Sequence, residues 1–206
     1  YNTDKPHEAK YLYKQEGVVA QTGNIDPPPV LELGYKKIKF TTDEIKGTLT
    51  GISTYWVDPT KEVFLLAPSV TANADYKFID WNPAVPTEKT TYLDDETYKA
   101  QYKKKVVTAN PGDTAYVKVD FSAGAHGSLA EGATKEYWVL KNEIVSLTAP
   151  TGTSNQGWIF TGWDSDLTRQ FTEETNKITA QYTYTGGDLV PQIGGAKPDL
   201  TNDFVK

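Results

Sequence analysis

The sequence has no cysteine, no methionine and only two histidines. Without cysteine there is no disulfide, no thiolate nucleophile and no Cys-ligated metal. A small domain that lacks such staples rests on core packing, on a bound metal or on another covalent bond. No segment approaches the ~20 consecutive apolar residues that cross a bilayer as a helix. An excess of positive charge is missing too: the formal net charge is -6 and the pI about 5.0. Nucleic-acid modules cluster Lys and Arg on one face, so the balance argues against that partner. The one basic run, Lys103-Lys104-Lys105, follows a strand-like segment beside acidic stretches and reads as a solvated strand end. No signal-peptide pattern opens the chain, and with the repeat described next it reads as an interior piece of something longer.

Aromatic residues are abundant, with 13 Tyr, 7 Phe and 5 Trp in 206 residues, and they recur in order. Tyr35-x-x-Ile38-x-Phe40 matches Tyr116-x-x-Val119-x-Phe121. Lys46-Gly47-Thr48-Leu49 matches His126-Gly127-Ser128-Leu129, and Tyr55-Trp56-Val57 matches Tyr137-Trp138-Val139. Val63-x-Leu65-x-Ala67-Pro68 then matches Val145-x-Leu147-x-Ala149-Pro150. Tyr76-x-Phe78-x-x-Trp81 matches Trp158-x-Phe160-x-x-Trp163, and Ala100-Gln101-Tyr102 matches Ala180-Gln181-Tyr182. The offset stays between 80 and 82 positions, and its slips fall in Gly-, Thr- and Asp-rich stretches, as loop insertions do. Ala9-Lys10-Tyr11 repeats the closing signal, and Asn202 to Lys206 resembles an opening. The organisation expected is a tail of a preceding repeat (1–16), a Pro-rich linker (17–34) and a first module (35–105). A short linker (106–115), a second module (116–185) and a Gly/Pro linker with the start of another repeat (186–206) follow.

Period-two alternation marks most segments as strands. Val117, Val119 and Phe121 alternate with Lys118 and Asp120; Ile178, Ala180 and Tyr182 alternate with Thr179 and Gln181. The expected core aromatics are Phe40, Phe78, Trp81 and Tyr102 in the first module, and Phe121, Phe160, Trp163 and Tyr182 in the second. Gly124-Ala125-His126-Gly127 reads as a hairpin turn, and Thr172 to Thr175 as a single helical turn before the last strand. The fold class expected is mainly β, with α+β open: tandem antiparallel β-rich modules in an elongated arrangement.

The Phe121-x-x-Gly124-x-x-Gly127-x-Leu129 opening, the Tyr-x-Val strand, the Ala-Pro station and the aromatic-x-Phe-x-x-Trp strand closed by Ala-Gln-Tyr carry a family likeness. The chain resembles the Listeria–Bacteroides type of repeat, also called the internalin B-repeat, found in Gram-positive wall-anchored surface proteins. Asp80 departs from the Gly162-Trp163 pair, and Lys46 from His126-Gly127. The resemblance implies a β-grasp-like or compact β-rich module, extracellular, displayed in tandem on a stalk, with no catalytic residue to carry over.

Sites of chemistry are sparse. His7 and His126 lie in the N-terminal stretch and in a Gly-rich turn, with no Gly-x-Ser-x-Gly and no fixed acid to make a triad. Asp94-Asp95 and Glu173-Glu174 are adjacent pairs that diverge rather than oppose across a cleft. Asp164-x-Asp166 offers oxygens to calcium, but the first module has Asn82 and Ala84 there. No Lys–Asn or Lys–Asp pair stands out for an isopeptide bond. Trp56 and Trp138 lie between a Tyr and a Val that share a face, so each points to the opposite face. They are either recognition aromatics or cover for that face of the sheet, packing being the favoured reading.

No catalytic, cofactor-binding or metal-binding residue is expected, and the chain reads as a non-enzyme. The leading expectation is a stalk that projects an adhesive region from the bacterial surface, its partners the neighbouring repeats of the same chain. The alternative is direct binding of a host extracellular protein or glycan. A more remote one is a non-catalytic accessory region of a secreted enzyme.

Overall fold

The computed structural model describes residues 15–21 and 34–186. The chain divides into two compact units between Lys104 and Lys105. All regular elements among the described residues are strands. Residues 1–14, 22–33 and 187–206, which hold the expected repeat tail and most of the outer linkers, lie outside the described residues.

The first unit is built on β1 (Val18–Ala20), β2 (Lys36–Thr41), β4 (Thr54–Val57), β6 (Tyr76–Asn82) and β7 (Glu96–Lys104), in the sheet order β1-β4-β2-β7-β6. A two-stranded sheet of β3 (Gly47–Thr50) and β5 (Ser69–Ala72) lies apart from it. The second unit repeats the plan with β8 (Val106–Val107), β9 (Tyr116–Ser122), β11 (Glu136–Leu140), β14 (Trp158–Trp163) and β16 (Thr175–Tyr184), ordered β14-β16-β9-β11-β8. Its small sheets pair β10 (Gly127–Leu129) with β13 (Gly152–Ser154), and β12 (Ile144–Ser146) with β15 (Thr168–Gln170).

The sheets are mixed where antiparallel ones were expected. β2 runs parallel to β7, and β9 parallel to β16, while the other named pairs are antiparallel. Alternation specifies which face is buried, not which neighbour a strand takes. In each unit β4 or β11 occupies one side of the first central strand, and the long closing strand takes the other. Parallel first and last strands at the centre give a β-grasp strand order. No helix crosses the sheet among the described residues. Residues 173–174 form a bend, and Thr175 already belongs to β16, so the helical turn expected there is absent.

Two further expectations change. β9 and β10 do not form a hairpin: both sides of β9 are taken, by β16 and β11, so the chain leaves through Gly124 (φ 68°) and pairs β10 with β13. The linker boundaries also move. Val18–Ala20 pairs with β4 and Val106–Val107 with β11, so residues assigned to linkers complete the sheets of the modules that follow them.

Alternation places Ile38 and Phe40 inward, at 0% and 2% exposure, with Lys37 and Lys39 facing out. Tyr55, Val57, Val63, Tyr92 and Tyr98 join them in one core. Val117, Val119, Phe121, Val139, Phe171 and Ile178 make the second. The same latch closes both: the Tyr55 hydroxyl donates to the Leu66 carbonyl at 2.7 Å, and Tyr137 to Thr148 at 2.8 Å. β6 and β14 carry bulges, at Phe78/Asp80 and Phe160/Gly162, which twist these outer strands and blunt them against edge pairing.

Candidate functional site

The aromatic stations form the same framework in both units. In the first, Trp81 meets Phe40 edge-on at 5.0 Å and Phe78 at 5.6 Å, and Phe78 meets Tyr102 at 5.9 Å. In the second, Trp163 meets Phe121 at 5.0 Å and Phe160 at 5.6 Å, and Phe160 meets Tyr182 at 5.9 Å. Such edge-to-face pairs stabilise by about 0.5–1.5 kcal/mol beyond burial. Phe40, Trp81 and Phe121 lie buried in the cores, while Phe78, Tyr102, Trp163 and Tyr182 are half-buried. Phe160 is not core: 44% of it is exposed.

The reason is a pocket of about 350 Å³ in the second unit, walled by Phe160, Trp163 and Tyr182 and floored by Leu129, Ala149 and Ala180. Thr151, Gly152 and Thr153 form its rim with Pro150, so no charged side chain lines it. That is the low end of the volume of small-molecule sites, with their mostly apolar walls and few polar groups.

The expected recognition tryptophans are placed differently. Trp56 is buried at 4% exposure, its indole N–H donating to Gln21 Oε1 at 3.0 Å, with the Lys37 ammonium 5.0 Å above the ring. Gln21 follows β1, so the strand that completes the sheet also covers this residue, which is packing and not a recognition surface. Trp138 is half-buried, opposite Val107 and Lys118, and donates to Glu136 Oε1 at 3.3 Å. Beside it the Lys118 ammonium sits between Glu136 (2.9 Å) and Asp120 (3.0 Å). Those bonds hold the Lys118 pKa above its ordinary value, and the bond from Lys118 holds the Glu136 carboxyl below its own.

The other candidates are occupied with structure. His126 stacks flat on Trp158 at 3.4 Å and 5°. Its counterpart Lys46 instead pairs with Asp43 at 3.0 Å, a contact that lowers the aspartate pKa and raises that of the lysine. Asp164 Oδ1 accepts the Thr179 N–H and so ties the end of β14 to β16, while Asp166 Oδ1 accepts that of Thr168 and closes a local turn. Asp95 accepts the Lys37 N–H. Glu96 accepts the Tyr98 hydroxyl at 3.0 Å, and burial pushes the pKa values of Tyr98 and Tyr92 upward. Lys105 reaches Glu143 at 3.3 Å. Asn176, the one buried polar residue among those described, donates to the carbonyls of Lys118 and Glu173. No group of three or more His, Cys, Asp or Glu side chains among the described residues is placed to hold a metal ion. His7 lies outside the described residues.

The pocket is what sequence reasoning missed. Gly152 at its rim is explained by a close approach of backbone, since a Cβ there would run into the Ser128 carbonyl oxygen. No protein-family model matches the chain, and no curated protein or solved structure does either.

Proposed function

We propose that the chain is a load-bearing stalk segment of an extracellular, wall-attached bacterial surface protein, and not an enzyme. The observation that carries this reading is the direction of the strands. β1, β2 and β7 run the same way, with β4 against them between β1 and β2. Tension entering from the N-terminal side pulls β1 backwards, and tension leaving through β7 pulls it forwards. The β1/β4, β4/β2 and β2/β7 ladders then lie in series between the two points of load. Each is sheared along its length, so its hydrogen bonds resist together rather than opening one by one. The second unit has the same path through β8, β11, β9 and β16. The tandem repeat and the resemblance to wall-anchored surface modules support the same conclusion.

Single-molecule pulling tests it. Stretched from its ends, the chain should show an unfolding event for each unit. Lys77 and Lys103 face each other across β6/β7, and the chain has no native cysteine. Handles on Lys77→Cys and Lys103→Cys therefore unzip that hairpin instead. A clearly higher force in the end-to-end geometry is expected, and equal forces in the two geometries overturn the stalk reading. A second reading, direct binding of a host protein or glycan, is favoured by one observation, the open pocket of the second unit.

A further inference from the structure

The edge strands through which load enters the two units are not held alike. Val18 lies opposite Val57 in β1/β4, and Val106 lies opposite Val139 in β8/β11, so the two strands fill one station. Val18 is a buried member of the first core, at 8% exposure, whereas Val106 is only partly buried against the second. β1 pairs over three residues and continues, because the Gln21 N–H donates to the Thr54 carbonyl at 2.9 Å. Its other end is held too: the Asp58 N–H donates to the Gly17 carbonyl at 2.8 Å, and Glu16 pairs with Lys61 at 2.9 Å. β8 pairs over two residues, and beyond Val107 the chain passes through Thr108, Ala109 and Asn110, all exposed.

The tryptophan opposite each strand records the difference. Gln21 accepts the Trp56 indole N–H, so the segment that carries β1 also clamps that ring. Counting from the paired valines, Ala109 stands where Gln21 stands and has no amide to offer. The Trp138 indole turns to Glu136 on its own strand, and its ring stays half-buried. What holds β8 is its short ladder, the partial burial of Val106, the Leu140 N–H on the Lys105 carbonyl at 2.8 Å, and the Lys105–Glu143 pair.

Behind β8 the sheet is closed by longer ladders. β9 runs parallel to β16, Lys118–Ser122 against Thr175–Thr179, and β11 follows β9 from Glu136 to Leu140. With β8 detached, tension passes from the start of β9 straight to the end of β16 and shears that ladder. Val117, Val119, Phe121 and Ile178 stay packed meanwhile. Elements loaded in series yield in order of weakness, and an edge segment with little burial opens at less cost than a core.

We infer that β8 is a tension-released strap: under load it leaves β11 before the second core opens, while β1 keeps its place in the first unit. The inference rests on the stalk reading and adds a reversible stage to it. Release frees residues 106–114, up to Ala115, whose carbonyl accepts the Lys141 N–H. The chain so let out spans at most about 30 Å. The stalk then lengthens without unfolding a module, and the β11 edge and the ring of Trp138 are uncovered only while it is stretched. β8 rejoins β11 when the load falls.

The test is single-molecule pulling of the whole chain from its ends. A step of at most about 30 Å is expected below the force that unfolds either unit, and it should reverse on relaxation. Val107→Cys with Trp138→Cys supplies a lock, because directly opposed positions of an antiparallel ladder lie about 4.5–5.5 Å apart, within disulfide reach. The chain has no other cysteine. Oxidised, this variant should lose the step and keep both unfolding events; reduced, it should regain the step. Lys105→Ala should lower the force of the step, and Lys61→Ala, which loosens β1, should leave it where it is. If the double variant fails to fold, the two lysine variants decide. Absence of the step in the unmodified chain, its survival in the oxidised variant, or a force unmoved by Lys105→Ala overturns the strap. None of these outcomes touches the stalk reading, which falls instead on equal forces in the end-to-end and β6/β7 hairpin geometries.

Discussion

Val107 lies directly opposite Trp138 in the β8/β11 ladder, as Val19 lies opposite Trp56 in β1/β4. Each module thus takes its outermost strand from residues upstream of its first aromatic station. A second-unit fragment that begins at Lys105 keeps this strand, and one that begins at Pro111 lacks it. Both should retain the core of Val117, Val119 and Ile178. The shorter one uncovers the β11 edge and part of Trp138, and should melt lower. A loss of 1 kcal/mol lowers the midpoint by about 4–8 °C in a domain of this size. Equal thermal midpoints for the two fragments would show that β8 adds nothing to the sheet.

The same pair shows what the sequence makes legible. The repeat and its strand faces are readable because inward positions such as Ile38, Phe40, Val117 and Val119 are uniformly apolar over several turns of the alternation. Val18-Val19 and Val106-Val107 are too short to show a period, and proline- or glycine-containing stretches follow them, so they read as linker. The parallel β2/β7 pairing is invisible for another reason: hydrophobic alternation is identical in parallel and antiparallel neighbours. Trp56 is legible as a residue on the opposite face, but its burial depends on Gln21 and Lys37, contributed by other segments. The pocket is a difference between two modules, so it escapes a reading that looks for what they share.

Trp81 and Trp163 occupy one station but not one environment. Trp81 is 9% exposed in the first core, whereas Trp163 is half-buried and borders the pocket of the second unit. Trp81→Ala should destabilise the first unit by about 3–5 kcal/mol. Trp163→Ala should cost its own unit less, since one side of that ring already lacks packed neighbours. Denaturant titrations of each variant, read from the remaining tryptophans, check the ranking; equal losses would mean that the pocket is filled in solution.

Asn176 ties the start of β16 to β9 by donating to Lys118 O at 3.3 Å and to Glu173 O at 3.0 Å. Asn176→Ala removes both of these part-buried bonds, at a cost of about 1 kcal/mol to the second unit. Asn176→Asp should be at least as harmful, because a carboxylate cannot donate to either carbonyl. A neutral effect of both substitutions on the unfolding midpoint would remove Asn176 from the account of the parallel pairing.

Alkaline pH separates the units. Tyr98 is 1% exposed, its hydroxyl donating to Glu96, and burial raises its pKa above the ordinary tyrosine value of about 10; Tyr92 beside it shifts the same way. The folded first unit therefore keeps protons that the unfolded chain releases. For a group whose folded pKa is raised, the stabilisation is complete below the unfolded pKa and is lost as pH climbs toward the folded one. Stability of the first unit should accordingly fall above about pH 10, at up to about 1.4 kcal/mol per pH unit for each tyrosine so held. In the second unit Phe171 and Ile178, both at 0% exposure, occupy the equivalent core stations and carry no proton to lose. Those two stations therefore contribute no such term, although Lys118, with its raised pKa, gives up its surface ion pairs in the alkaline range and adds a smaller slope. Tyr98→Phe removes one of the two protons and should flatten the alkaline decline of the first unit without touching the second. Urea titrations of the separate units from pH 8 to 11 give both slopes, and a decline that is the same with and without the Tyr98 hydroxyl would refute the assignment.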